Sequence, residues 1–74
     1  MPEDFADEDL TGVNMSGADL TGANLIRANL TEADLTRTDL SSANLSKANL
    51  TEADLTQANL SEAILIDAIL IDAT

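Results

Sequence analysis

The stretch ANLTEADLT stands at residues 28–36 and again at residues 48–56, a separation of twenty residues. Its internal unit is shorter, because an alanine, an Asn or Asp and a leucine recur every five residues. Leucine occupies position 10 and every multiple of five from 20 to 70, and Phe5 and Met15 fill the two gaps. Alanine usually lies two residues earlier, with Val13 and Thr38 as substitutes. One five-residue repeat therefore covers nearly the whole chain.

A period of five fits neither regular secondary structure. Five residues advance an α-helix by about 500°, so successive leucines would form no single seam. In a flat strand, an odd period would put alternate leucines on opposite faces. The conflict disappears if the chain turns a corner in every repeat, since each leucine can then point inward. Asn, Asp, Ser, Thr and Gly favour such corners, and Gly12, Gly17 and Gly22 accept a positive φ.

The recurrence of the sequence after twenty residues indicates how many repeats make one coil. If four repeats make one revolution, residues i and i+20 stack and should resemble each other. They do, although duplication of a twenty-residue block could produce the same recurrence without stacking. The stacked sets are Arg27 under Lys47, Glu32 under Glu52 and Asp72, Asp34 under Asp54, and Asp19 under Asp39.

The unit A(D/N)LXX, repeated in register from about Phe5 to Leu70, resembles that of the pentapeptide-repeat family. The resemblance implies an all-β fold, a right-handed quadrilateral β-helix of about 3.5 coils of twenty residues, with Leu and Ala inside. It also implies a single domain over residues 1–74, with repeats from about residue 3 to residue 74. The chain departs from the pattern at both ends, where Glu3 and Glu8 replace the inward small residue and Ile64 and Ile69 replace Asn or Asp.

The composition narrows the function further. Fourteen acidic residues face three basic ones, a formal net charge of -11, and the chain contains no Cys, no His and one aromatic residue. Such a surface repels nucleic acid and anionic membrane and favours a basic protein partner. The longest apolar run, residues 63–66, is too short to span a bilayer. We expect a soluble, cytoplasmic protein whose first coil is covered by Pro2, Phe5 and the acidic run around them.

The C-terminal segment AILIDAILIDAT changes the pattern. Isoleucines take outward positions that are polar elsewhere, on two sides that meet at one corner. A contiguous exposed apolar patch indicates an interface, most simply a two-fold homodimer through the C-terminal end. Continuation of the chain past Thr74 would cover the same residues. The predicted self-association residues are Ile64, Ile66, Ile69 and Ile71.

The stacked acids form a second candidate surface for a basic partner. We expect Glu32, Glu52 and Asp72 to line one side, Asp34 and Asp54 the next, and Asp19 and Asp39 the one after. Regular carboxylates along a rod could imitate a phosphate backbone. Some pentapeptide-repeat proteins bind DNA gyrase in this way and protect it from quinolones, so the resemblance implies a topoisomerase-binding DNA mimic as the alternative function. The opposing interpretation is a solvated acidic surface or adaptation to high salt.

Three further functions are disfavoured. The Asp34–Asp54 pair supplies too few oxygens for calcium, so we expect no metal and no cofactor. Threonine ladders, such as Thr11, Thr31 and Thr51, resemble some ice-binding surfaces, but carboxylates interrupt them. Catalysis by paired carboxylates needs unlike environments, which a repetitive convex rod does not provide. The sequence therefore predicts a non-enzymatic structural or interaction scaffold.

Overall fold

The computed structural model describes residues 3–74, whose backbone repeats one five-residue conformation throughout. Each repeat has a bridging residue, an inward leucine, two turn residues and an inward alanine. These residues contain no helix and no extended strand, because the β structure consists of isolated parallel bridges, one residue on each side. Bridge partners lie twenty residues apart throughout, from Asp4 with Asn24 to Asn49 with Ile69. The twenty-residue recurrence in the sequence therefore corresponds to the stacking of each coil on the next, and the fold is a β-helix.

The bridges align in four columns, which define four sides of the coil. We number the sides in the order in which the chain passes them. The first is Asp4, Asn24, Asn44 and Ile64; the second is Asp9, Asn29, Asn49 and Ile69; the third includes Asn14, Asp34 and Asp54; the fourth is Asp19, Asp39 and Asn59.

Backbone hydrogen bonds tie each coil to the next. On the first side, the N–H of Leu25 donates to the carbonyl of Asn44 at 2.8 Å, and the N–H of Asn44 donates to the carbonyl of Ala23 at 2.9 Å. The N–H of Arg27 donates to the carbonyl of Ser46 at 2.9 Å, which ties the turns together as well. The ladder thus pairs the polar backbone groups that a coil without extended strands would otherwise leave unpaired.

The core is a column of leucine and alanine side chains inside the coil. Its fully enclosed leucines are Leu25, Leu30, Leu35, Leu40, Leu45 and Leu50, each at most 1 % exposed. Phe5 and Met15 below and Leu60 and Leu65 above are partly buried and pack against this column. Phe5 thus contacts the core, as predicted, whereas Pro2 lies outside the described residues.

Thr38 is the one polar residue buried among the described core positions, in a place where most repeats have alanine. Its hydroxyl donates to the carbonyl of Met15 at 2.9 Å, so the substitution leaves no unpaired oxygen. This bond makes a hydroxyl acceptable in the core.

Every turn of residues 3–74 is closed by a hydrogen bond from the N–H at the alanine position to the carbonyl at the preceding leucine position, as from Ala28 to Leu25 at 3.0 Å. The second turn residue has a positive φ in every repeat, which with that bond is the signature of a type II turn. Glycine fills this place at Gly12, Gly17 and Gly22, as the sequence predicted. Eleven other turns place a non-glycine residue there, including Arg27 at 60° and Lys47 at 61°. The ladder and core hold these residues in a conformation that costs each of them about 1 kcal/mol.

Between residues 3 and 74 the structure has no helix with the length and hydrophobicity needed to cross a bilayer.

Candidate interaction surface

The four isoleucines of the C-terminal coil are exposed, and they belong to two consecutive repeats. Ile64 and Ile69 are the bridging residues of the first and second sides, each 42 % exposed. Ile66 and Ile71 are turn residues, 66 % and 63 % exposed. The sequence did not single out Leu70, an inward residue that is 46 % exposed because no coil lies above it among the described residues. We call these five residues the isoleucine patch.

The patch also lacks the side-chain caps of the other repeats. At Asn59, as in most repeats, the side-chain oxygen accepts the N–H two residues later, that of Ser61, at 3.0 Å. An isoleucine at that place cannot accept, so Ile64 and Ile69 exchange a turn-stabilising bond for apolar surface. The exchange weakens the turn and increases the apolar area of this coil.

The aspartates of the third side stack as predicted, but their carboxylates are partly engaged. Oδ1 of Asp34 accepts from the N–H of Thr36 at 3.0 Å and from its hydroxyl at 2.7 Å. Asp54 accepts from Thr56 in the same way. The hydroxyl bond, then the amide bond, lowers the pKa of each carboxyl below its usual range. One oxygen of each carboxylate therefore accepts hydrogen bonds from its own turn, and the carboxylate stays charged.

The fourth side repeats this arrangement. The threonine and serine hydroxyls two residues later lower the pKa of Asp19 and Asp39 through hydrogen bonds. Asp39 forms a bridge with Asp19, so the predicted stacking is confirmed. Its Oδ1 accepts from the hydroxyl of Ser41 at 2.6 Å.

The third predicted acidic set does not line a side. Glu32, Glu52 and Asp72 are second turn residues, so they lie at the corner between the second and third sides. All three are exposed, and they stack because the N–H of Glu32 donates to the carbonyl of Thr51, and that of Glu52 to Ile71. Sequence spacing alone did not separate turn from side positions. We call this set the acidic corner.

The preceding corner carries positive charge in its two middle coils, a feature that the sequence pattern did not reveal. Arg27 and Lys47 stack at the corner between the first and second sides, with Asp7 below and Asp67 above. Arg27 forms a salt bridge with Asp7, with Nε and Oδ1 2.8 Å apart. Their hydrogen bond, and secondarily the opposite charge, lowers the pKa of Asp7. We call Arg27 and Lys47 the basic corner.

Residues 3–74 enclose no pocket, and no three acidic side chains among them converge as metal ligands would. The surface offers exposed apolar and charged faces but no cleft. The described residues form no enclosed site for a small substrate.

A family model for pentapeptide repeats matches residues 4–41 and 43–74 as eight copies. The chain belongs to the pentapeptide-repeat family. This agrees with the twenty-residue bridge register and confirms the resemblance seen in the sequence. No curated protein matches this pentapeptide-repeat protein significantly.

Solved structures of three pentapeptide-repeat proteins are similar to it. One, from the thylakoid lumen of Arabidopsis thaliana, has a TM-score of 0.81 and 34 % identity over 96 % of this chain and 57 % of its own. Rfr23, from the cyanobacterium Cyanothece 51142, has a TM-score of 0.75 and 37 % identity over 89 % of this chain and 52 % of its own. A third, alr5209 from Nostoc PCC 7120, has a TM-score of 0.62 and 40 % identity over 97 % of this chain and 64 % of its own. The present chain thus spans between half and two thirds of these proteins.

Proposed function

We propose that this pentapeptide-repeat protein is a non-enzymatic interaction scaffold that forms a homodimer through its C-terminal coil. The observation that carries this proposal is the isoleucine patch, whose four isoleucines replace polar residues of the coil directly below, Asn44, Ser46, Asn49 and Thr51. Contiguous exposed apolar side chains are costly on a soluble monomer and are typical of interfaces. The coil that presents them is, in our proposal, the last part of a right-handed helix of about 3.5 turns.

The direct test is the molar mass in solution, measured by light scattering during size-exclusion chromatography. We expect the wild-type mass to rise with concentration and the double variant Ile64→Asp with Ile69→Asp to stay at the single-chain mass of 7.8 kDa. The matched control is Asn24→Asp with Asn44→Asp, which places the same acid in the column of Ile64, two coils and one coil lower. Equal masses for the wild type and the isoleucine variant at every concentration would refute the proposal.

A second candidate function rests on the acidic corner and the net charge of -11. Glu32, Glu52 and Asp72 stack at the spacing of coils, about 4.8 Å, and could face a row of basic side chains. A DNA-binding enzyme such as a gyrase would supply that row, so the protein would act as a DNA mimic. The acidic corner spans only two coil spacings, about 10 Å, which matches about three base pairs at ~3.4 Å each.

Supercoiling by gyrase at stoichiometric protein tests this candidate. A DNA mimic should inhibit supercoiling, and Glu32→Gln with Glu52→Gln should relieve the inhibition. Unchanged supercoiling would exclude the mimic and would leave the scaffold proposal intact.

A further inference from the structure

The second side has opposite charges on its two edges in its middle coils. Its bridging residues Asn29 and Asn49 are half-buried and uncharged, whereas Asp9 below them is an exposed acid. The basic corner borders this side where the chain enters it, and the acidic corner borders it where the chain leaves. Arg27 and Glu32 therefore lie on opposite edges of the second side. Lys47 and Glu52 form the equivalent pair one coil higher.

Among residues 3–74, no other side combines these properties. The third and fourth sides carry stacked aspartates at their centres, Asp34 with Asp54 and Asp19 with Asp39, which would repel a second copy. The first side is uncharged at Asn24 and Asn44, but its far corner has Gly22 and Ser42 level with the basic corner, and the acid of that corner, Glu62, is level with Asp67.

We infer that the second side is a self-complementary face, on which two copies of the chain pair side by side with their coil axes parallel. A two-fold axis parallel to the coil brings the basic corner of one copy to the acidic corner of the other. Arg27 then faces Glu32 of the second copy, and Lys47 faces Glu52, and the symmetry makes each pair twice. An antiparallel arrangement would instead place like corners together.

The isoleucine patch lies at the C-terminal end of the same face. In the parallel pair, Ile69 meets Ile69 of the second copy on the axis, and Ile66 meets Ile71. The inference thus rests on the proposed self-association and specifies its geometry. Ile64, on the first side, takes no part in it.

Four features weaken the pair and limit its affinity. Asp9 meets Asp9 of the second copy on the two-fold axis, and Arg27 already forms a salt bridge with Asp7 of its own chain. In the C-terminal coil, Asp67 faces Asp72 of the second copy, a like-charge contact beside the isoleucines. The whole chain has an accessible surface of 4113 Å², so one of four sides offers less than the roughly 800 Å² per partner of a standard interface. The dimer should therefore be transient.

The test is a charge swap at a single ionic strength, measured by sedimentation equilibrium. Lys47 and Glu52 occupy equivalent turn positions with the same φ of 61°, so an exchange of their side chains leaves backbone strain unchanged. Lys47→Glu alone or Glu52→Lys alone should weaken self-association about tenfold, since each creates two like-charge contacts per dimer. The double variant should recover the wild-type dissociation constant.

Mixing gives the sharper result. Samples of Lys47→Glu and Glu52→Lys, each weakly associating alone, should pair when combined, because each supplies the charge that the other lacks. Asp72→Lys should strengthen self-association by turning the contact with Asp67 attractive. Glu62→Lys, an exposed turn residue at another corner, is the matched control and should not reproduce the loss seen with Glu52→Lys.

The outcomes separate this inference from the proposed function. If the wild type associates but the two variants fail to recover on mixing, the lateral pairing is wrong and the isoleucine patch remains the interface. Of the two single variants Ile64→Asp and Ile69→Asp, we expect only Ile69→Asp to lose association. Loss of association in Ile64→Asp would favour end-to-end pairing and would overturn the inference. A wild type that stays monomeric throughout would refute both. Circular dichroism and melting of each variant confirm that it is folded.

Discussion

Asp34 and Asp54 form a parallel bridge twenty residues apart, yet each carboxylate accepts hydrogen bonds from its own turn, through Thr36 and Thr56. The bonds to the turn hydroxyls and amides stabilise the charged form and lower the pKa of both carboxyls, against the Coulomb repulsion that raises the pKa of Asp34 beside Asp54. The local turn therefore outweighs the like-charge contact between coils.

This relationship predicts loss of stability in acid. Because the folded pKa values are lowered, the contribution of these carboxylates is complete above the unfolded aspartate pKa of about 3.9 and disappears as pH falls through the folded values. We expect the melting temperature to fall below pH 4.

The matched control is Asp34→Asn with Asp54→Asn, since asparagine forms the same cap at Asn44 and Asn49. This variant should lose less stability between pH 5 and pH 2.5 than the wild type, as measured by thermal melts. Parallel pH curves for the two proteins would contradict the prediction.

The turn conformation gives a second prediction, at Gly17. Its φ is 72°, and a Cβ added there would meet nothing within 4 Å, so only the backbone conformation opposes a side chain. Gly17→Ala should lower the free energy of unfolding by about 1 kcal/mol. The reverse change, Gln57→Gly in the same column, should raise it by up to about 1 kcal/mol, because Gln57 has a φ of 62°. Denaturant unfolding measures both, and equal stability of Gly17→Ala and wild type would refute the assignment.

The side-chain cap predicts a third effect, at Asn49. Its Oδ1 accepts the N–H of Thr51 at 3.1 Å and also the threonine hydroxyl. Asn49→Ala should cost about 1 kcal/mol, because one turn amide and one hydroxyl lose their acceptor. Asn49→Asp keeps the acceptor and serves as the control in the same unfolding assay. An Asn49→Ala variant as stable as Asn49→Asp would show that the cap contributes nothing.

Burial along the coil predicts a fourth effect. Leu45 is fully buried, whereas Leu70 occupies an equivalent inward position and is 46 % exposed. Leu45→Ala should lose about 2 to 5 kcal/mol of stability, since it leaves a cavity between stacked coils. Leu70→Ala should lose about 1 kcal/mol or less, because half of its surface is already in water. Chemical denaturation of both variants compares them directly, and similar losses would contradict the packing described here.

The sequence predicted the core and the register, because both follow from positions that repeat. A leucine every five residues requires corners, and the recurrence of ANLTEADLT after twenty residues predicts the bridge between Asp34 and Asp54. The stacking of Arg27 under Lys47 followed from the same rule.

Properties that depend on turn geometry were not predictable in this way. Glycines at Gly12 and Gly17 indicated a positive φ, but residues such as Lys47 hold the same conformation with no mark in the sequence, since the ladder enforces it. The salt bridge between Arg27 and Asp7 crosses twenty residues and depends on rotamers. The division of charge between corners required knowing which acids lie in turns.

Self-association of the chain is measured by sedimentation equilibrium of the wild type over a wide concentration range. We expect an average mass that rises from 7.8 kDa towards twice that value and does not rise in the Ile69→Asp variant. A mass that stays at the single-chain value up to millimolar concentration would contradict it.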